Sequence, residues 1–252
     1  MLKRTEGIVL KATAFGEADL IVTYLSRECG LIKVFAKSPR KTKSRFGSSL
    51  EPLTHSRLSF IGKENAHLPR LTQADIVRPF HSLREDLPSF LRMSELLELN
   101  LQFLPERDPN PGAFELLLTT MSLLEDVGEN PLCRLLYKIR FLEIVGYAPK
   151  LDACGRCARP SGGNGVHRFF SLHGALLCEK CVTDEAGCLT ISDGALRFYQ
   201  SFSRWHAQAL DRVQVPGQLV SEVNLVISTH IRAVLGRSLR SDTIPADFRV
   251  PL

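Results

Sequence analysis

Along this chain the period of hydrophobic and polar positions changes near residue 80. Before it, short β-branched and apolar runs alternate with polar residues, and turn residues separate them. These runs predict five strands, at 7–12, 20–26, 31–36, 53–61 and about 68–77. Gly16-Glu17-Ala18-Asp19 and Glu28-Cys29-Gly30 supply the first two connections. In the third strand Lys33, Phe35 and Lys37 share one face, and Ile32, Val34 and Ala36 share the other.

After residue 80 the pattern becomes helical. A helix is predicted over 83–104, with Leu87, Phe90, Leu91, Leu96, Leu97, Leu99 and Leu101 as a broad apolar stripe and Pro88 in its first regular turn. Two more are predicted at 113–127 and 132–145, the second opened by Asn130-Pro131 and closed by Gly146. The last two fall at 192–210, with Ser192 as N-cap, and at 218–235. No repeat of fixed period is present, and no apolar run reaches the length of a membrane span.

Between the helical stretches lie Cys154-Gly155-Arg156-Cys157 and Cys178-Glu179-Lys180-Cys181, two C-x-x-C pairs separated by twenty residues. Four thiols at this spacing fit a tetrahedral zinc site, each pair closing one knuckle. Gly155 is expected to give the first knuckle backbone freedom, and Arg156, Arg159 and Lys180 to favour thiolate over thiol. A redox pair would show one C-x-x-C in a βαβ setting, and a disulfide within either pair would be strained. His167, His173 and Cys188 are near enough to substitute, but four cysteines already complete a closed, structural set. Cys29, Cys133 and Cys188 are then free thiols. The expected architecture is α+β: a five-stranded oligonucleotide-binding (OB) barrel over 1–80, then a helical domain over 81–252 carrying a four-cysteine zinc ribbon at about 152–183.

Charge sharpens the functional reading. The 252 residues carry a net +5, but residues 1–80 hold fourteen Lys/Arg against seven Asp/Glu, and the remainder eighteen against twenty. The positive field belongs to the N-terminal third and favours a polyanion. It is densest after the third predicted strand, where Lys37, Arg40, Lys41, Lys43 and Arg45 stand with no acidic residue among them. With Lys33 and Phe35, these seven residues are the candidate nucleic-acid contacts: ammonium and guanidinium groups hold phosphates while an aromatic ring stacks on bases. The competing reading makes Phe35 core and the loop a solvated charge run. Catalytic signatures are missing: no phosphate-binding G-x-x-x-x-G-K-[ST], no H-E-x-x-H and no G-x-S-x-G, so a non-catalytic protein is expected. The N-terminus lacks a signal-peptide core, and seven cysteines with zinc spacing suit a reducing cytoplasm.

Glu6-Gly7-Ile8-Val9-Leu10, Gly16-Glu17-Ala18-Asp19, Cys29-Gly30-Leu31, Lys43-Ser44-Arg45-Phe46 and Leu50-Glu51-Pro52 follow one another in order. After them come Gly146-Tyr147-Ala148-Pro149, the cysteine pairs and Gly236-Arg237-Ser238-Leu239-Arg240-Ser241. Together these resemble the RecO family of bacterial recombination mediators along essentially the whole chain. The resemblance implies an OB fold, a helical domain and, in the branch that keeps all four cysteines, a structural Zn2+. It implies binding of single- and double-stranded DNA and annealing of strands coated by single-strand-binding protein. With RecR it implies loading of RecA, in the cytoplasm and at the nucleoid. Contact with the acidic C-terminal tail of single-strand-binding protein is expected on the helical domain, with Arg134, Arg140 and the arginines around Gly236 as candidates. Two other classes remain open, an RNA-binding OB protein and an architectural zinc adaptor.

Overall fold

The computed structural model describes residues 1–39, 46–63, 66–128, 130–161, 166–182, 188–206, 210 and 213–243. Arg40, Lys41, Lys43 and Arg45 lie outside the described residues. The chain forms two compact units, Met1–Gly128 and Glu129–Leu252.

Five strands build the first unit: β1 (Leu2–Phe15), β2 (Asp19–Ser26), β3 (Gly30–Ala36), β4 (His55–Ile61) and β5 (Arg70–Arg78). They close a barrel in the order β1-β2-β3-β5-β4. All pairings are antiparallel except β3 with β5, which meet in parallel at Phe35 and Arg70. This is the OB topology expected from the strand pattern. β1 is longer than the predicted 7–12 because it serves two neighbours, pairing Gly7–Phe15 with β2 and Leu2–Ile8 with β4. Its polar start, Leu2-Lys3-Arg4-Thr5-Glu6, has no strand pattern; ladder bonding to β4 makes it a strand. A register shift between Val9 and Lys11 bends β1 where it passes from one partner to the other. Inside, Val9, Val22, Tyr24, Ile32, Val34, Leu58, Phe60 and Leu71 form the core, which Phe46 and Leu50 enter from the segment ahead of β4.

The single helix predicted over 83–104 is two: α1 (His81–Glu85) and α2 (Leu87–Phe103). Pro88 has no N–H, and its ring would collide with the carbonyl four residues back, so the helix cannot run through it. Asp86 instead becomes extended, with ψ of 112°, and its carboxylate accepts a 2.8 Å hydrogen bond from the Ser89 N–H. Leu87 is consequently exposed, and the buried stripe is Met93, Leu96, Leu97 and Leu99. α3 (Pro111–Val127) completes the unit.

The α2–α3 connection is strapped to the barrel. Arg107, at φ +63°, donates its N–H to the Leu31 carbonyl at 2.9 Å, and Glu106 bridges Leu31. Gly30, at φ +68°, lies directly beneath the Asp108 backbone.

The second unit contains α4 (Pro131–Ile144), β6 (Lys150–Cys154), β7 (Val166–Phe170), β8 (Ala175–Leu177), β9 (Cys188–Ser192), α5 (Asp193–Phe202) and α6 (Gly217–Leu235). The strands form one sheet in the order β6-β8-β7-β9. Ser192 caps α5 as predicted, its hydroxyl accepting from the Ala195 N–H at 3.2 Å. The helix stops at Phe202 rather than continuing towards 210. There Trp205 folds back, its N–H on the Phe202 carbonyl at 3.0 Å and its ring edge-on to Phe202. Among the described residues, no helix is long and apolar enough to cross a membrane.

Gly30 offers a direct test of the strap. In Gly30→Ala a Cβ would overlap the Asp108 backbone in a left-handed conformation that alanine disfavours. A loss of more than about 1 kcal/mol is expected in urea denaturation, since alanine at a positive φ destabilises by at least that much. An unchanged midpoint would show that the strap yields freely.

Candidate nucleic-acid face and metal centre

β3 carries the first site. Lys33 and Lys37 are exposed and Phe35 half-buried, while Ile32, Val34 and Ala36 are buried, so the predicted division of faces holds. Paired strands keep partner residues on one face, and the register extends the outward row across the barrel. One row runs Lys11–Thr23–Lys33, and the next Thr13–Ile21–Phe35–Arg70. Beyond them Phe15 pairs with Asp19. Phe15, 52% exposed, meets Phe35 edge-on at a centroid distance of 5.9 Å. The outward face is therefore an aromatic pair with Lys11, Lys37 and Arg70 around it.

Two carboxylates near this face are engaged. Asp19 accepts from the Ser38 N–H at 2.6 Å and fixes the turn that ends β3, where Ser38 takes φ +56°. Glu106 forms an ion pair with Lys33, so that lysine is already partnered. Lys11, Phe15 and Arg70 were not singled out from sequence. The signal for β1 is the alternation Lys11, Thr13, Phe15 once the bulge is passed; for Arg70 it is cross-strand register, which sequence does not contain.

The second site is the cysteine cluster. Cys154 ends β6, and Cys178 follows β8. β6 and β8 run parallel, with Cys154 in register with Leu176, which brings the two knuckles together. The sulfurs of Cys154, Cys157, Cys178 and Cys181 all lie within 4.8 Å of one another, and Cys157 and Cys178 are 3.6 Å apart. A tetrahedral ion with bonds of about 2.3 Å places sulfurs about 3.8 Å apart, so the set fits one metal ion. Phe170, Leu177 and Val182 back the cluster on its apolar side.

Gly155 is needed for a different reason than the one expected. Its φ is not left-handed; that position falls on Ala158, at +56°. A Cβ at Gly155 would sit 2.6 Å from the Ala175 Cβ, while its N–H reaches the Leu176 carbonyl at 2.8 Å. Close approach of the knuckle to β8 sets the glycine. For Cys154 the thiol chemistry likewise comes from backbone. The Cys178, Cys157 and Arg156 N–H groups pull the Cys154 thiol down to about 6. Cys181, beside the other sulfurs and led by Cys178, is pushed up to about 12. Four thiolates cannot share this space unaided, and a dication would supply the missing charge. Among the described residues, His167, His173 and Cys188 do not join the group: His167 turns to Asp193 at 3.4 Å, and His173 packs on the Phe170 ring.

The arginines expected to meet a partner's tail are spread over the second unit. Arg140 donates to the Trp205 carbonyl, and Arg232 to the Ser228 carbonyl at 3.3 Å. Arg237 and Arg240 are exposed beyond Gly236, which ends α6 in a left-handed conformation.

A closed barrel with a basic, aromatic outward face, followed in the chain by a four-cysteine knuckle pair, places the protein in the OB-fold class with an added module that could hold a metal ion. Comparison with known proteins narrows this to one family. The family description Recombination protein O N terminal matches residues 1–80, and Recombination protein O C terminal matches residues 84–243. The chain is 41% identical to the DNA repair protein RecO of Thermodesulfovibrio yellowstonii over 244 residues, covering 95% of this chain and 96% of that protein. It is 32% identical to the RecO of Syntrophus aciditrophicus, covering 94% and 93%, and 31% identical to that of Symbiobacterium thermophilum, covering 95% of each. The chain belongs to the Recombination protein O family.

The cysteine geometry leads to one expectation. Elemental analysis of the purified protein should find one divalent metal ion per chain, and Cys157→Ser should lower that occupancy. Four freely alkylated thiols and no metal would contradict a closed site.

Proposed function

We propose that the protein is a non-catalytic mediator of DNA repair and recombination that binds single- and double-stranded DNA and anneals complementary strands coated by single-strand-binding protein. The observation that carries the reading is the outward barrel face, where Phe15 and Phe35 lie among Lys11, Lys37 and Arg70. Such a face neutralises phosphates and offers rings to bases without reading sequence. Arg40, Lys41, Lys43 and Arg45 follow β3 in the chain and extend the same charge. Cancelling backbone charge on two strands lets them approach, and base pairing then drives annealing with no nucleotide consumed. Lys33 contributes less than its neighbours, because Glu106 competes for it.

Around this activity stand the expected partners. RecR cooperates in loading RecA, and the acidic C-terminal tail of single-strand-binding protein docks on the helical domain (81–252), among Arg134, Arg140, Arg232, Arg237 and Arg240. The ion at Cys154, Cys157, Cys178 and Cys181 is Zn2+, closed off from chemistry by its four thiolates and serving to hold the β6-β8-β7-β9 sheet. The protein works in the cytoplasm, at the nucleoid.

Binding to a single-stranded oligonucleotide across a salt series tests the face. Each neutralised phosphate contributes about −0.7 to the log–log slope, so Lys37→Ala/Arg70→Ala should flatten it by about 1.4. Phe15→Ala should instead weaken binding by about 1–3 kcal/mol with the slope unchanged, because it removes stacking alone. A wild-type slope in Lys37→Ala/Arg70→Ala together with wild-type affinity in Phe15→Ala would move the DNA site off the barrel.

A further inference from the structure

A second basic feature of the barrel lies away from the aromatic pair. At the Met1 end of β1, a cavity of about 330 Å³ opens between β3, the β4–β5 connection and the α2–α3 strap. Lys3, Lys33, Lys63 and Arg107 line it, and Glu28 is its single carboxylate among the described residues. Glu28 is occupied by the Thr5 hydroxyl. Lys3 and Lys63 have no ion-pair partner among the described residues, and both are exposed. The lining is mixed, and Ile32, Phe60 and Pro69, all buried residues, supply part of its apolar portion.

The wall that closes this cavity is built under constraint. Arg107 holds a left-handed backbone, unusual for a residue with a Cβ, and its guanidinium is tied to the Ala66 carbonyl. Gly30 permits the strap to lie against the β2–β3 turn at all. Glu28 and Glu106 offset part of the charge of the four cations, and the excess that Lys3 and Lys63 leave around a partly apolar hollow is repulsive by itself. A ligand with an anionic group and a flat apolar body resolves both features at once.

The geometry points to this cavity as a binding site for one nucleoside monophosphate unit, with its phosphate on Lys3, Lys33, Lys63 and Arg107 and its base against Ile32, Phe60 and Pro69. The volume suits one such unit and lies at the lower end of the range for small-molecule sites. Lys33 stands between this cavity and the strand face, and Glu106 competes with the phosphate for it. The unit can arrive free or as the phosphorylated end of a DNA strand; the recognising chemistry is the same. The site goes beyond strand annealing and does not rest on it, since a mononucleotide cannot anneal.

The test is calorimetric titration of the full chain, metal loaded, at low salt with dAMP, with deoxyribose 5-phosphate, and with oligonucleotides bearing a 5′-phosphate or a 5′-hydroxyl. Saturable one-to-one binding of dAMP is expected, with deoxyribose 5-phosphate clearly weaker because it lacks the base. Lys3→Ala/Lys63→Ala should weaken dAMP about threefold to tenfold, the range for losing two exposed charge contacts. Glu106→Gln should tighten it about twofold to fivefold by releasing Lys33. These opposite signs at unchanged denaturation midpoints separate ligand contact from a structural role. A 5′-phosphate preference that the double variant abolishes identifies strand ends as the source; equal affinities for the two oligonucleotides with dAMP binding intact identify the free nucleotide. No saturable dAMP binding, or binding that neither variant alters, overturns the proposal. Lys37→Ala/Arg70→Ala leaves dAMP affinity unchanged if the two sites are separate, so each reading can fail alone.

Discussion

Closure of the barrel at one parallel bridge is the constraint on which the first unit depends. β1 pairs with β2 and β4, and only the junction of β3 with β5 remains to complete the circle. That junction is narrow: Phe35 donates its N–H to the Pro69 carbonyl at 2.8 Å and faces Arg70 in register. The closure also sets the chemistry of the surface. Because Phe35 and Arg70 share a register position, an aromatic ring and a guanidinium that are far apart in sequence become neighbours. Alternation then carries Lys33 and Lys37 to the same side as Phe35, and Phe15 reaches across from the end of β1. Core residues of one parity and nucleic-acid candidates of the other are two consequences of one ladder.

The second unit solves a different problem, how a sheet of short strands is held in register. β8 has three residues, and the ribbon strands β6, β7 and β9 have five each. Strands this short share few ladder bonds, and cross-linking through a metal is a usual remedy for small modules. Cys154 and Cys178 stand where β6 and β8 lie in parallel register, so an ion there would fasten the two strands that share fewest ladder positions.

Much of this was legible in the sequence because it rests on local signals. Short β-branched and apolar runs between turn residues marked the barrel strands, the C-x-x-C spacing marked the cysteine cluster, and Ser192 and Asn130-Pro131 marked helix starts. What local signals miss is whatever a distant partner creates. The polar opening of β1 becomes a strand only because β4 bonds to it. The glycine in the first knuckle read as a turn residue, whereas Ala175 across the sheet is what excludes a side chain there. Pro88 was legible as a helix-start residue, but the break it imposes at Asp86 needed the carbonyl geometry of the preceding turn. Within the candidate nucleic-acid face, Lys33 looked equivalent to Lys37 until Glu106, 73 residues later, claimed it.

The most direct measurement is annealing of two complementary fluorescent oligonucleotides coated with the cognate single-strand-binding protein, without nucleotide and across a salt series. Wild-type protein would be compared with a Lys41→Ala/Lys43→Ala/Arg45→Ala variant. Fast annealing that slows with salt, and slows further in the variant, is the expected result. Absence of annealing by folded, metal-loaded wild-type protein would contradict the mediator function and leave the basic face to another partner.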